Sequence, residues 1–159
     1  AKIANGMRIM ADVTSKTYGP GGRNVALEYE YGDPKITKDG VTVAKSVFFK
    51  DREEELGSKL LKRIANSTNT YSGDGTTLST FFSAALVTKA WDAIENGIHP
   101  VFLKKGIEKS KIAALNILQD FVMPVTNQKE LYDVCLVSSN YDEEIAKITS
   151  EAINNIDSQ

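Results

Sequence analysis

The stretch richest in usable chemistry is Ser72-Gly73-Asp74-Gly75-Thr76-Thr77. Two glycines flank an aspartate, and the turn feeds hydroxyl residues at the start of a helical pattern. A helix start offers unpaired N–H groups and the positive end of the helix dipole, and glycines let an anion approach the backbone. Thr76 and Thr77 add hydroxyl donors, and Asp74 supplies a hard oxygen able to hold Mg2+ against phosphate groups. The same residue types also make an ordinary helix C-cap followed by an aspartate N-cap. Taken alone, the stretch leaves both readings open.

Two more glycine-bearing turns precede it, Thr17-Tyr18-Gly19-Pro20 and Thr37-Lys38-Asp39-Gly40. Each stands at the end of a helical or strand pattern, so the three could converge on one pocket. The elements that must position them read as follows. Residues 5–18 carry Met7, Met10, Val13 and Thr17 at helical spacing, and Gly19 to Gly22 with Pro20 must end that helix. Arg23 to Tyr31 alternates with Val25, Leu27, Tyr29 and Tyr31 on one face and reads as a strand. Gly32-Asp33-Pro34 turns it into a second short strand, Lys35-Ile36-Thr37, a hairpin too small to be stable alone. A short apolar segment, Val41 to Val47, follows.

Asp51 to Thr70 is an amphipathic helix with Leu56, Leu60, Leu61 and Ile64 on its stripe. Glu53, Glu54 and Glu55 in its first turn suit the helix dipole, so they read as a solvated helix start and not as a metal site. Thr76 to Asn96 is apolar over a wide arc (Phe81, Phe82, Ala85, Leu86, Ala90, Trp91, Ile94), as a central helix would be, with Gly97 as its C-cap. A third long helix runs from Pro100 to Phe121, burying Ile107, Ala114, Leu115, Leu118 and Phe121. Two shorter helices, 127–137 and 142–156, are joined by Ser138-Ser139-Asn140.

The totals narrow the function classes. With 42% hydrophobic and 25% charged residues, the 159-residue chain is an ordinary globular sequence, long enough for one domain or pieces of two. A formal net charge of -2 gives no support for a nucleic-acid or membrane surface. The single cysteine, Cys135, is expected to be a buried, inert thiol, and no Cys/His group has zinc-ligand spacing. No apolar run is long enough to cross a membrane. His99, the one histidine, precedes Pro100 with no partner motif and reads as structural or exposed. The opening at Ala1 and the unremarkable run from Asn154 to Gln159 read as part of something larger.

The three turns in this order, with Gly22-Arg23-Asn24-Val25 after the first and Val41-Thr42-Val43-Ala44 after the second, resemble the nucleotide site of group I chaperonins, the GroEL type. The likeness continues through Asn96-Gly97-Ile98-His99-Pro100, Lys105-Gly106-Ile107 and Val137-Ser138-Ser139-Asn140, and so covers essentially the whole chain. It implies a mainly α fold: the N-terminal half of an equatorial helical domain with a small β-hairpin, residues 1–122, then the start of the intermediate domain, residues 123–159. The resemblance also implies that the family's apical domain falls outside residues 1–159. Carried over by position, Thr17, Gly19 and Pro20 line the nucleotide and Lys38 lies near its phosphates. Asp39 is the catalytic residue, near the γ-phosphate and the attacking water. Asp74 holds Mg2+, and Gly75, Thr76 and Thr77 bind phosphate oxygens of ATP. Positioning, charge neutralisation and an oriented water are what phosphoryl transfer needs.

The chain departs from the family pattern at three places. Leu78 stands where a third threonine is usual, a loss of about 1–3 kcal/mol if that hydroxyl were buried and unreplaced. Gly21 replaces a lysine, and Tyr18 replaces a smaller aliphatic residue. The family's second catalytic aspartate and its sugar- and base-gripping residues lie beyond this stretch. The resemblance therefore implies an ATPase-coupled, ATP-dependent folding chaperone as the parent and a nearly inactive fragment. Implied partners are unfolded protein clients, a lid cochaperonin and other chaperonin subunits in a ring, with no nucleic acid and no membrane. With its hairpin edges unpaired, the fragment is expected as a monomer or irregular small oligomer.

Tyr31-Gly32-Asp33-Pro34-Lys35-Ile36, Gly106-Ile107-Glu108-Lys109-Ser110 and Asp133 to Ser138 lean toward the plastid type. The expected location is thus a plastid or apicoplast stroma, with mitochondrial matrix or bacterial cytoplasm as alternatives. Two other function classes stay open from the residues: a helical scaffold without nucleotide, which leaves three phosphate-suited turns unexplained, and an unrelated nucleotide-dependent phosphotransferase. The latter needs acid–base residues that one histidine and scattered carboxylates do not supply.

Overall fold

The computed structural model describes residues 1–19, 21–28 and 32–157. Pro20, Tyr29 and Tyr31, which carry part of the sequence reading, lie outside the described residues. The backbone divides into two compact units, Ala1–Ile107 and the residues from Glu108 onward.

In the first unit, α1 (Lys2–Ser15) begins earlier and ends sooner than its periodicity implies. It ends because Thr17 and Tyr18 donate backbone bonds three residues back, to Thr14 and Ser15, a tightening that leads into Gly19 at φ 70. The hairpin pairs β1 (Val25–Leu27) with β2 (Lys35–Thr37) antiparallel, Ala26 opposite Ile36. The segment after it is helical: α2 (Gly40–Ser46) is started by the Asp39 side chain, which accepts the Val41 and Thr42 N–H groups. Its valines had masked that helix in the sequence.

Asp51 caps α3 (Arg52–Ser72) through the Glu53 and Glu54 N–H groups, and Gly73 closes it in the left-handed region at φ 72. Helix α4 (Thr76–Glu95) ends at Asn96, followed by Gly97 at φ 92. Helix α5 (Pro100–Gln119) follows. In the second unit, α6 (Gln128–Ser138) and α7 (Glu143–Asp157) form an antiparallel hairpin around Cys135, Ala146 and Ser150, so the thiol is buried as expected. Helix α6 is capped by Asn127, which accepts the Glu130 N–H at 3.0 Å, and Glu130 reaches back to accept the Thr126 N–H at 2.7 Å.

The core of the first unit is Met7, Met10, Ala11, Ala44, Leu61 and Ala84, flanked by Val47, Phe49, Ile64 and Phe81. Its centre is a close crossing of α1 and α3. A Cβ added at Gly6 would run into the Glu54 backbone, and one at Gly57 into the Ile3 carbonyl, with Met7 N at 3.1 Å. Because the backbones meet, the buried side of α3 is Gly57, Ser58, Leu61 and Ala65. Leu56 and Leu60, expected on the core stripe, are exposed.

Helix α4 departs in the same way. Its buried residues are Thr80 and Ala84, whereas Phe82 is 62% exposed and Leu86 and Trp91 are also exposed. In α5 no residue is buried, and Leu115, Leu118 and Phe121 stand in solvent. These side chains are apolar yet exposed among the described residues, while Phe81 of α4 does pack against the core. Among the acidic trio, Glu54 accepts from Asn5 at 2.8 Å, Glu55 accepts the Phe49 N–H at 3.0 Å and Glu53 stands 4.0 Å from the Lys2 ammonium, so all three tie neighbouring segments to α3. His99 is exposed, its Nδ1 accepting the Val101 N–H at 3.3 Å.

The caps make stability depend on acid pH. The Lys2 ammonium, with the Glu53 and Glu54 N–H groups, holds the Asp51 carboxyl below its ordinary 3.8. At Glu130, bonds from Thr126 and Asn127 likewise lower the carboxyl from 4.5. A carboxyl whose folded pKa is depressed adds stability above its unfolded pKa and loses it as pH falls through the folded value. The melting temperature should therefore hold from neutral pH down to the ordinary carboxylate range and fall below it. In Asp51→Asn that fall should be shallower; an unchanged acid limb would remove the Asp51 cap from the account.

Candidate functional site

The three glycine turns meet. A Cβ added at Gly40 would collide with the Thr77 hydroxyl and lie 3.5 Å from Thr17 Oγ1. One contact therefore joins the turn after α1, the turn after β2 and the start of α4. Thr17 is buried, and its hydroxyl donates to Thr14 O at 2.8 Å, which orients it from within the α1 end. Gly19, two residues on, is left-handed with nothing near the position of a Cβ.

The start of α4 is built to stay open. Gly75, at φ 80, is the N-cap residue and supplies no side-chain bond, so the first N–H groups of a long helix keep their donors. The Thr76 and Thr77 hydroxyls make no hydrogen bond among the described residues, although Thr76 O accepts from Ser79 and Thr80. Asp74 is exposed and turns Oδ1 back onto the Gly75 N–H at 2.6 Å, steadying the turn.

Asp39 occupies the start of α2. Its Oδ1 accepts the Val41 N–H at 3.3 Å, and its Oδ2 accepts both the Thr42 N–H at 2.9 Å and the Thr42 hydroxyl. Burial opposes its charge, but the bonds from Thr42 and Val41, with the charge of Lys45, bring its carboxyl below the ordinary value. A carboxylate offers about four acceptor sites, so Asp39 stays ionised and can take one more donor on Oδ1. Lys38, next to it, is exposed. Pro20 lies outside the described residues.

The departures from the family pattern also have places. Tyr18 packs edge-on against Phe81 of α4, ring centroids 5.2 Å apart. Leu78 is 44% exposed, so a missing hydroxyl there orphans no buried group, and the 1–3 kcal/mol loss reckoned for a buried one does not apply. Gly21 has open space around it.

The sequence model of the TCP-1/cpn60 chaperonin family matches residues 10–159. The chain belongs to that family. The fold agrees with this assignment: a mostly helical chain with one small antiparallel hairpin, as in a chaperonin equatorial-domain fragment. The chain is similar to the chaperonin gp146 from bacteriophage EL 2 (Pseudomonas aeruginosa), whose crystal structure was determined in the presence of ATP-BeFx. The two share 30% identity over 97% of this chain, with a TM-score of 0.76. It also superposes on a group III chaperonin in the open state, at 22% identity over 98% of the chain with a TM-score of 0.81, a likeness of fold. The chain spans 27% and 31% of the lengths of those two chaperonins.

The donor set fits a magnesium nucleotide. Open helix N–H groups, two threonine hydroxyls and left-handed glycines at 73 and 75 suit phosphate oxygens. Among the described residues no group of three or more His, Cys, Asp or Glu side chains is arranged to hold a metal ion by itself. Mg2+ commonly binds through one or two carboxylates plus substrate phosphates, and Asp74 is an exposed carboxylate in this turn. Sequence reasoning had all three turns but missed that Gly40 is where they touch, and missed Thr42 as the partner of Asp39. The Asp39-to-Thr42 spacing was the available signal for a helix cap.

Proposed function

We propose that this chain is the N-terminal, nucleotide-binding part of an ATP-dependent chaperonin subunit. The contact of Gly40 with Thr77 beside Thr17 carries the reading, because it brings three phosphate-suited turns to one open helix start. In this reading Gly75, Thr76 and Thr77 bind phosphate oxygens, Asp74 holds Mg2+, and Thr17, Gly19 and Pro20 line the nucleotide. Lys38 adds positive charge near the phosphates. Asp39, kept ionised by its cap bonds, orients the attacking water through its remaining acceptor site. Bound Mg2+ would neutralise charge on the phosphates.

The rest of the proposal rests on the resemblance of the sequence motifs. Residues 1–122 form half of the equatorial domain and residues 123–159 begin the intermediate domain, although the compact units of the backbone divide earlier, between Ile107 and Glu108. The complete subunit is of the group I, plastid-like type and works in a plastid stroma. It assembles with other subunits and, with a lid cochaperonin, encloses unfolded clients. The 159-residue chain by itself turns over little ATP.

The test is thermal melting of the purified chain with Mg·ATP and Mg·ADP. At a ligand concentration about 100 times Kd, binding to the folded state adds roughly 2.7 kcal/mol. The melting temperature should rise with ligand and the rise should disappear in Asp74→Ala. A rise that survives in Asp74→Ala takes the metal role from that residue, and no rise in the parent chain rejects nucleotide binding by this chain.

A further inference from the structure

A charged pair on α3 lies half-buried, away from the nucleotide turns. Lys62 and Glu55 lie about two helical turns apart on one side of α3, with side chains only 15% and 16% exposed and Nζ 3.9 Å from Oε1. Lys62 Nζ donates to the carbonyl of Val47, the residue that ends α2, and stands 4.1 Å from the centroid of the Phe48 ring. Glu55 Oε2 accepts the Phe49 N–H at 3.0 Å, and Phe49 packs on the core. Three successive residues are thus gripped by one pair. Burial pushes the Lys62 ammonium below its ordinary value, the Glu55 charge opposes that, and Lys59 adds to it.

A desolvated ion pair contributes little that apolar residues of the same shape would not. What it adds is direction. Helix α2 is sunk into the core through Val41, Val43 and Ala44, but apolar contacts are non-directional and leave rotation about the axis and sliding along it weakly specified. The bond from Lys62 to Val47 O adds a directional tie at that end of the helix. The helix is about 10 Å long, with Val47 at one end and Asp39 and Gly40 at the other.

We propose that Lys62, aided by Glu55, is a positioning residue for the site at the start of α4. It holds α2 by its far end, so that Gly40 stays against Thr77 and Asp39 stays in its cap. The functional meaning rests on the nucleotide-binding reading above; the mechanical link does not.

The experiment uses the whole chain and its Lys62→Met, Lys62→Arg and Glu55→Gln variants. NMR hydrogen exchange is followed at Thr14, Val43 and Thr80, together with the titration of the Asp39 carboxyl. In Lys62→Met, exchange at Val43, whose N–H bonds to Asp39 O at 3.0 Å, should quicken by about tenfold or more relative to Thr14 and Thr80. The Asp39 carboxyl should move up toward its ordinary value, and Lys62→Arg should restore both. Unchanged exchange at Val43, or equal quickening at all three amides, overturns the link.

Should Lys62→Met not fold, Glu55→Gln keeps an acceptor for Phe49 and drops the charge. The same selective change, smaller in size, is expected there, and its absence overturns the link. Mg·ADP affinity should fall about tenfold in Lys62→Met; equal affinity overturns the functional half. A parent chain that binds no nucleotide rejects the proposed function, while the exchange data still decide whether Lys62 holds α2.

Discussion

Gly57→Ala is expected to cost on the order of 3 kcal/mol and to lower the melting temperature by roughly 10 °C. The added methyl has no side chain to push aside: it meets the Ile3 carbonyl, with Met7 N close behind. Relief requires α1 and α3 to separate, and Met7, Met10 and Leu61 pack across that seam. Helix propensity alone points the other way, since glycine to alanine inside a helix gains about 0.5–1 kcal/mol. The sign of the change therefore decides between packing and propensity. Gly106→Ala in α5 is the control. Nothing lies near its Cβ position, so it should gain the propensity term and melt higher. A neutral or stabilising Gly57→Ala would mean that the helices do not approach as described.

Gly40→Ala should abolish any Mg·ADP-induced rise in melting temperature and destabilise the chain by about 1–3 kcal/mol. Here the obstacle is a hydroxyl, since the new methyl collides with Thr77 Oγ1, and Thr77 Cβ stands 3.2 Å away. Either Thr77 leaves its rotamer or the α2 start backs away from α4; both spoil the meeting of the turns. Thr77→Ala in the same chain removes the colliding oxygen and should recover most of the stability but not the nucleotide response. Two independent losses would instead add, and a double variant as unstable as their sum would remove the Gly40–Thr77 contact from the account.

How much of this was legible in the sequence depends on how local the cause is. The glycine helix ends were readable because they are written in neighbouring residues, Gly73 after α3 and Gly97 after α4. Asp51, by contrast, was read as the first residue of α3 and is its cap, and the aspartate cap offered for α4 is replaced by Gly75. The second strand, Lys35–Thr37, was read at its observed limits, as was the Asn127-started α6 to within a residue. Helix α2 was missed because Val41, Val43 and Val47 favour extended chain, and only the reach of Asp39 to Thr42 marks the helix. The buried faces were misread for a different reason. Periodicity shows that an arc of α3, α4 or α5 is apolar; it does not show which part of that arc a neighbour covers. On α3 the contact follows Gly57 and Ser58, leaving Leu56 and Leu60 outside. Of the site, the turns were legible and their meeting at Gly40 was not, because that contact exists only between distant parts of the chain.

The same distance governs when the pocket can exist as the chain folds. Helices α3 and α4 are adjacent in sequence and can form early around the Gly73–Gly75 turn, whereas the Thr17–Gly40–Thr77 junction needs loops of very different length to close first. Contacts of that kind are expected to form late on the path. A ligand that recognises the finished junction would then act mainly on the way out, slowing unfolding while leaving the folding rate nearly untouched. The chain would release its fold less readily once loaded, without acquiring it any faster.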